Sequence, residues 1–123
     1  MKEIKFNFED LIVYQRALDY VDFVYKICDS FPSSEKYILA NQYLRAANSI
    51  PLNIAEGAGA SDAQFNRYLQ IALNSAKECV VCSTLAMRRD YISSNMDQNA
   101  RQQLEEICKM ITGLQKSLKK TNH

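Results

Sequence analysis

Residues that break regular structure are scarce: three Gly and two Pro in 123 residues. That excludes a chain of many short strands and tight turns and demands long regular segments. Histidine is nearly absent. The one copy, His123, stands at the end of the sequence. Without a usable His there is no Cys–His or Ser–His pair for nucleophilic catalysis. Nor is there the Glu-x-x-His that a di-iron carboxylate bundle places on facing helices. No stretch approaches the roughly 20 apolar residues of a membrane helix. Met1 to Phe8 carries no apolar run of signal-peptide length, so the expectation is a cytoplasmic protein with its four cysteines reduced. Excess charge is missing too. A formal net of +1 argues against a surface built wholly for nucleic acid, while leaving room for a local basic patch.

What is present is helical periodicity. The length fits a single domain spanning 1–123, with an N-terminal arm at 1–8 and a frayed tail at its end, 120–123 in particular. Asn7 or Glu9 is placed to begin the first helix, which carries two apolar seams side by side. One is Leu11, Tyr14, Leu18, Val21, Tyr25 and Cys28. The other is Val13, Ala17, Tyr20, Val24, Ile27 and Phe31. Two adjacent seams form a wider face than one partner helix covers. Ile12 and Phe23 fall outside both and hint at contact with another copy. Pro32 stops this helix, and Ser33 or Ser34 is placed to cap the second.

The second helix is expected to run to about Glu56 with Pro51 inside it, kinked near Ala47 to Pro51. Gly57 and Gly59 supply the backbone freedom to end it. Its polar residues Arg45, Asn48, Ser49, Asn53 and Glu56 form one stripe at about 100° per residue. Ser61 and Gln64 make a capping-box pattern for a third helix over 62–90. Its seam of Phe65, Leu69, Ala72, Ala76, Cys79 and Ser83 is mostly small, which favours close approach of a neighbour. After a turn at 91–95, with Asn95 or Asp97 as cap, a fourth helix sets out Ala100, Leu104, Ile107, Ile111, Leu114 and Leu118 in four-three alternation. The fold class is all-α: an antiparallel up-down-up-down four-helix bundle.

Four groups of residues bear on chemistry. Cys79 and Cys82 share a helix face, and with Cys28 and Cys108 they number enough for a zinc site. Counting along the helices puts Cys28 and Cys82 in different layers, and the pair lies deep in its helix, away from the dipole that activates redox cysteines. They read as small buried hydrophobes. Gly57-Ala-Gly59 lacks the rest of a phosphate-binding loop. The stripe Arg45, Asn48, Ser49, Asn53 and Glu56 reads chiefly as a solvated face or a buried structural network with Asn74, Ser75 and Glu78 of the third helix, and otherwise as a recognition surface. Arg88, Arg89, Lys109, Lys116, Lys119 and Lys120 are candidates for nucleic-acid phosphates, set against ordinary solvated charge near helix C-termini. Charge is also lopsided: 9–30 is net −3 and 101–123 net +3.

Phe8-Glu-Asp-Leu11, Tyr14-Gln15, Ala17, Phe31-Pro32, Gln42, Arg45-Ala-Ala-Asn-Ser-Ile-Pro-Leu-Asn-Ile-Ala-Glu-Gly57, Phe65, Leu69, Ala72, Ser75, Glu78 and Tyr91-Ile92 together resemble the 23S rRNA intervening-sequence family. Two positions differ from its usual pattern: Ala60, where a basic residue often follows, and Leu44 in front of Arg45. Those proteins are bacterial four-helix bundles, some labelled ribosomal. A related branch is similar to accessory proteins of diversity-generating retroelements, which form homopentamers, bind nucleic acid and associate with a reverse transcriptase. The resemblance implies no catalytic residues, and the residues themselves point to no cofactor and no metal site. It implies a non-enzymatic homo-oligomer, a pentamer, associated with RNA or DNA or with a protein such as a reverse transcriptase. The alternative is a protein-binding oligomeric scaffold without nucleic-acid affinity.

Overall fold

The computed structural model describes residues 2–35 and 38–121, the side chains of Glu35, Lys120 and Thr121 excepted. Four helices account for it: α1 (Ile12–Cys28), α2 (Leu39–Gly57), α3 (Asp62–Arg88) and α4 (Ser94–Thr121). α3 and α4 run antiparallel, as two cross-helix pairs show. Ser83 meets Asp97 while Gln70 meets Gln115, so numbers fall on α3 as they rise on α4. Ser49 of α2 meets Ser75 of α3, and Arg16 of α1 meets Glu106 of α4.

The inner seam of α1 is the core seam. Val13, Ala17, Tyr20, Val24, Ile27 and Phe31 are all buried. The outer seam is only partly covered: Val21 and Cys28 are buried, whereas Leu18 is 40% and Tyr25 51% exposed. One bundle edge closes over one and a half seams, so the wide face predicted from spacing is real and its outer margin is uncovered. Ile12 is 60% exposed as its position implies. Phe23 is half-buried, its ring 5.9 Å from that of Tyr20, so it belongs to the packed side.

Several boundaries differ from the sequence expectation. Asn7–Asp10 is a 3₁₀ turn ahead of α1, held by Phe6 N–H donating to Glu9 Oε2 at 2.7 Å and by the Lys5–Asp10 ion pair at 2.9 Å. The α-helix begins only at Ile12 and ends at Cys28, well before Phe31, which reduces α1 to 17 residues. Ser33 and Ser34 do not cap α2. They lie in a second 3₁₀ turn, Ser33–Glu35, and α2 starts at Leu39. α2 continues as helix through buried Pro51. Proline removes one N–H from the ladder, and the apolar face around it (Ala47, Ile50, Ile54) offsets the loss by burial. The tail extends as helix through Thr121; Asn122 and His123 lie outside the described residues.

Gly57 ends α2 for a reason other than dihedral freedom. A Cβ placed on it would lie 2.7 Å from the Tyr68 Cβ and 2.9 Å from Phe65 Cδ1, so α2 and α3 meet here nearly backbone to side-chain root. Gly59 supplies the positive φ of +90° instead. Ser61 caps α3 as its pattern predicts, its hydroxyl accepting from Gln64 N–H at 3.3 Å. The far end closes on Asp90 in the left-handed region (φ 61°). There Tyr91 N–H donates to Ala86 O and Asp90 N–H to Met87 O, the paired bonds of a Schellman stop. The small residues of α3 (Ala72, Ser75, Ala76, Cys79) are buried, and α2 packs along them more extensively than along α1. On α4, Ala100, Leu104, Ile107 and Ile111 are buried, with Leu114 and Leu118 half-covered.

Candidate functional site

The polar stripe of α2 divides in three. Ser49 and Asn53 turn inward toward α3. Ser75 Oγ donates to Ser49 Oγ at 2.8 Å, and Asn53 Nδ2 donates to Ser49 Oγ at 2.9 Å and to the Ser49 carbonyl at 2.8 Å. Asn48 turns the other way. Its Nδ2 donates to Leu44 O at 2.9 Å and, at 3.4 Å, to the Tyr25 hydroxyl of α1. Arg45 and Glu56 face solvent, as does Glu78 on α3. Asn74, expected in the same network, is exposed and accepts from Gln70 instead.

Between α2 and α3 this leaves a groove of about 630 Å³, lined by Ile38, Asn41, Gln42, Arg45, Ala46, Ser49, Ser75 and Glu78. It exists because Ala46, Ser49 and Ser75 are small, so the floor stays low between taller walls. The volume falls in the range typical of small-ligand sites, roughly 300–1,000 Å³.

The basic residues fall into two patches. Arg88 and Arg89 lie at the C-terminal end of α3, beside the start of α4; Arg89 Nη1 donates to Leu85 O at 3.3 Å. Lys109, Lys116 and Lys119 lie far along α4, and all three are exposed. At about 1.5 Å per residue, Lys116 is some 33 Å from the Ser94 end of that helix. The six positions grouped from sequence therefore do not form one cluster. Lys109 and Lys116, seven residues apart, flank a shallow depression floored by Thr112 and Gly113, and Glu105 pairs with Lys109 at 3.5 Å. The Lys120 side chain lies outside the described residues.

Sequence reasoning missed a polar cluster between α3 and α4. Asp97 does not cap α4; Ser93 does, its hydroxyl accepting from Met96 N–H at 3.1 Å. Asp97 lies inside the bundle, 2% exposed. Its Oδ1 accepts from Ser83 Oγ at 2.7 Å and its Oδ2 from Arg101 Nε at 2.9 Å. Arg101 Nη2 then donates to Thr84 Oγ1 at 2.6 Å, whose hydroxyl donates to Val80 O at 2.9 Å. The sequence signal was Asp97 and Arg101 at i and i+4 beside an apolar seam.

The cysteines are free, with Cys28, Cys79 and Cys82 buried. Burial pushes the Cys28 thiol up to about 12 and the Cys82 thiol up to about 11, and raises Cys79 and Cys108 as well. Cys82 adds to the rise at Cys28. Beside them Tyr20 and Tyr43 share a hydroxyl–hydroxyl bond of 2.7 Å, both raised by burial. Among the described residues no three His, Cys, Asp or Glu side chains gather as a metal site requires, and no helix is long and apolar enough to cross a membrane.

The class is thus a four-helix bundle whose polar features are a groove along α2–α3, a lysine row on α4 and an enclosed carboxylate. A family model for the 23S rRNA-intervening sequence protein matches residues 9–113, and the chain belongs to that family. It is similar to a crystal structure of a protein of unknown function from the S23 ribosomal protein family of Bacteroides thetaiotaomicron VPI-5482. The two share 25% identity and superpose with a TM-score of 0.79 over 85% of this chain and 99% of that one. No curated protein matches the chain.

Proposed function

We propose that the protein is a non-enzymatic cytoplasmic adapter that associates with structured RNA and works as a homo-oligomer. Membership of a family described by an rRNA intervening sequence carries this reading. The exposed row Lys109, Lys116 and Lys119 supplies the chemistry. Cations one to two turns apart on one helix suit successive phosphates, and local density of charge matters more there than the overall +1. The uncovered margin of α1, with Leu18 and Tyr25, and Leu52 of α2 at 67% exposure, supports contact between copies. A ring of copies, five by resemblance, repeats the lysine row around its rim. RNA is favoured over DNA on the family description alone.

The test is a titration against structured RNA and duplex DNA from about 50 mM salt upward. Replacing Lys109, Lys116 and Lys119 with Ala is expected to reduce the salt slope by about one per lysine that contacts a phosphate. No RNA binding at the lowest salt removes the adapter reading. It then leaves the second one, a protein-binding scaffold, possible through the same apolar margin and with a reverse transcriptase-type protein as one candidate partner. Light scattering that finds only monomer removes the oligomer from both.

A further inference from the structure

The α2–α3 groove holds hydrogen-bonding groups that the fold does not use. Arg45 on one wall and Glu78 on the other stand at the same height, one turn from the Ser49–Ser75 contact, and both line the groove. Neither makes an ion pair among the described residues, although the charges are opposite and the groove is shared. On the floor, Ser49 Oγ is approached by both Ser75 Oγ and Asn53 Nδ2. Two hydroxyls joined by a single bond leave one hydroxyl proton over, whichever of them donates. No described group accepts it.

The unused set is therefore a guanidinium fork, a carboxylate and a spare hydroxyl donor, with the amides of Asn41 and Gln42 above. A ligand that satisfies it must offer adjacent acceptors to Arg45 and adjacent N–H donors to Glu78 from one rigid frame. We propose that this groove receives a guanine base, an inference that rests on the RNA reading above when the base belongs to an unpaired RNA nucleotide. Guanine presents O6 and N7 as neighbouring acceptors, the pair an arginine fork matches. It presents N1–H and the exocyclic N2–H as neighbouring donors, which one carboxylate accepts together. Adenine sets its amino group beside a ring acceptor. Cytosine does the same, and uracil has one N–H between two carbonyls. None of these gives Glu78 two donors while also giving Arg45 two acceptors. A free amino acid matches the two charges but leaves the amides and much of the 630 Å³ unfilled, whereas a nucleotide's sugar reaches them. Recognition of splayed-out single-stranded bases on their polar edges is the usual route to sequence preference in RNA.

The measurement is a titration of the full chain with GMP, AMP, CMP and UMP, followed by amide NMR shifts. It is repeated on Glu78→Gln and Arg45→Ala, both at exposed positions, with circular dichroism expected to show the fold unchanged. GMP is expected to bind at least about tenfold more tightly than the other three, shifting amides of α2 and α3. Glu78→Gln is expected to abolish that preference, because its amide offers one acceptor and one donor where two acceptors are needed. Equal binding of the four nucleotides, no binding of any, or a GMP preference that survives Glu78→Gln overturns the proposal. The salt titration reads the adapter separately. RNA binding that depends on the lysine row but shows no guanine preference sinks the groove alone. A GMP preference without RNA binding sinks the adapter and leaves a free guanine nucleotide as the occupant.

Discussion

Two polar clusters join neighbouring helices, and they are built from similar parts. Between α3 and α4, a serine, an aspartate, an arginine and a threonine close on themselves: each carboxylate oxygen of Asp97 has a donor, and the arginine that provides one also reaches Thr84. Between α2 and α3, two serines, an asparagine, an arginine and a glutamate stay open: the small groups bond together and the charged ones stand apart. The difference lies in connection. Asp97 and Arg101 share one helix at i and i+4, so folding of α4 alone brings them within reach. Arg45 and Glu78 stand on different helices, facing a groove that small floor residues keep wide. A closed cluster spends its hydrogen bonds on the fold, and an open one holds them for something else.

The largest expected effect comes from opening the closed cluster. Asp97→Ala strips the acceptor from Ser83 and the partner from Arg101 in a buried setting, and should cost about 3 kcal/mol, read as a lower urea midpoint. Because Arg101 is part-exposed and can recover water, the loss should fall short of the full penalty for a buried ion left alone. A smaller loss, about 1 kcal/mol, is expected from Tyr20→Phe, which takes the 2.7 Å partner from the Tyr43 hydroxyl and leaves it Ser83 alone. Smallest is Glu78→Gln in the open cluster, within about 0.5 kcal/mol in the same urea experiment, since this side chain is exposed and bonds to nothing described. If Glu78→Gln destabilised as much as Asp97→Ala, the contrast between spent and unspent groups would collapse.

Much of the fold was legible because periodicity reports faces directly. The core seams of α1 and α4, the small stripe of α3 and the Ser61 cap all follow from residue spacing. Boundaries were less legible where short 3₁₀ turns compete with helix ends. Ser33 and Ser34 have capping chemistry, yet the chain spends them in a turn and starts α2 only at Leu39. The site was legible as a list and not as an arrangement. Spacing grouped Arg45, Ser49 and Asn53 on one side of α2, but only the position of α3 decides that Ser49 is bonded while Arg45 is left over. Sequence proximity to a helix end made Asp97 look like a cap; its true partner, Ser83, lies fourteen residues back on another helix. Arg88 and Lys116 looked like one basic group because composition carries no distances.

The four thiols have a use unrelated to binding. A thiol whose pKa burial pushes up to about 12, as at Cys28, stays protonated at pH 7, and only the thiolate attacks disulfides or alkylating reagents. Packed under the helices, Cys28, Cys79 and Cys82 react at the pace at which the bundle breathes, while half-exposed Cys108 answers sooner. The protein thus carries its own clock for local opening, three slow hands and one fast, with no label to install.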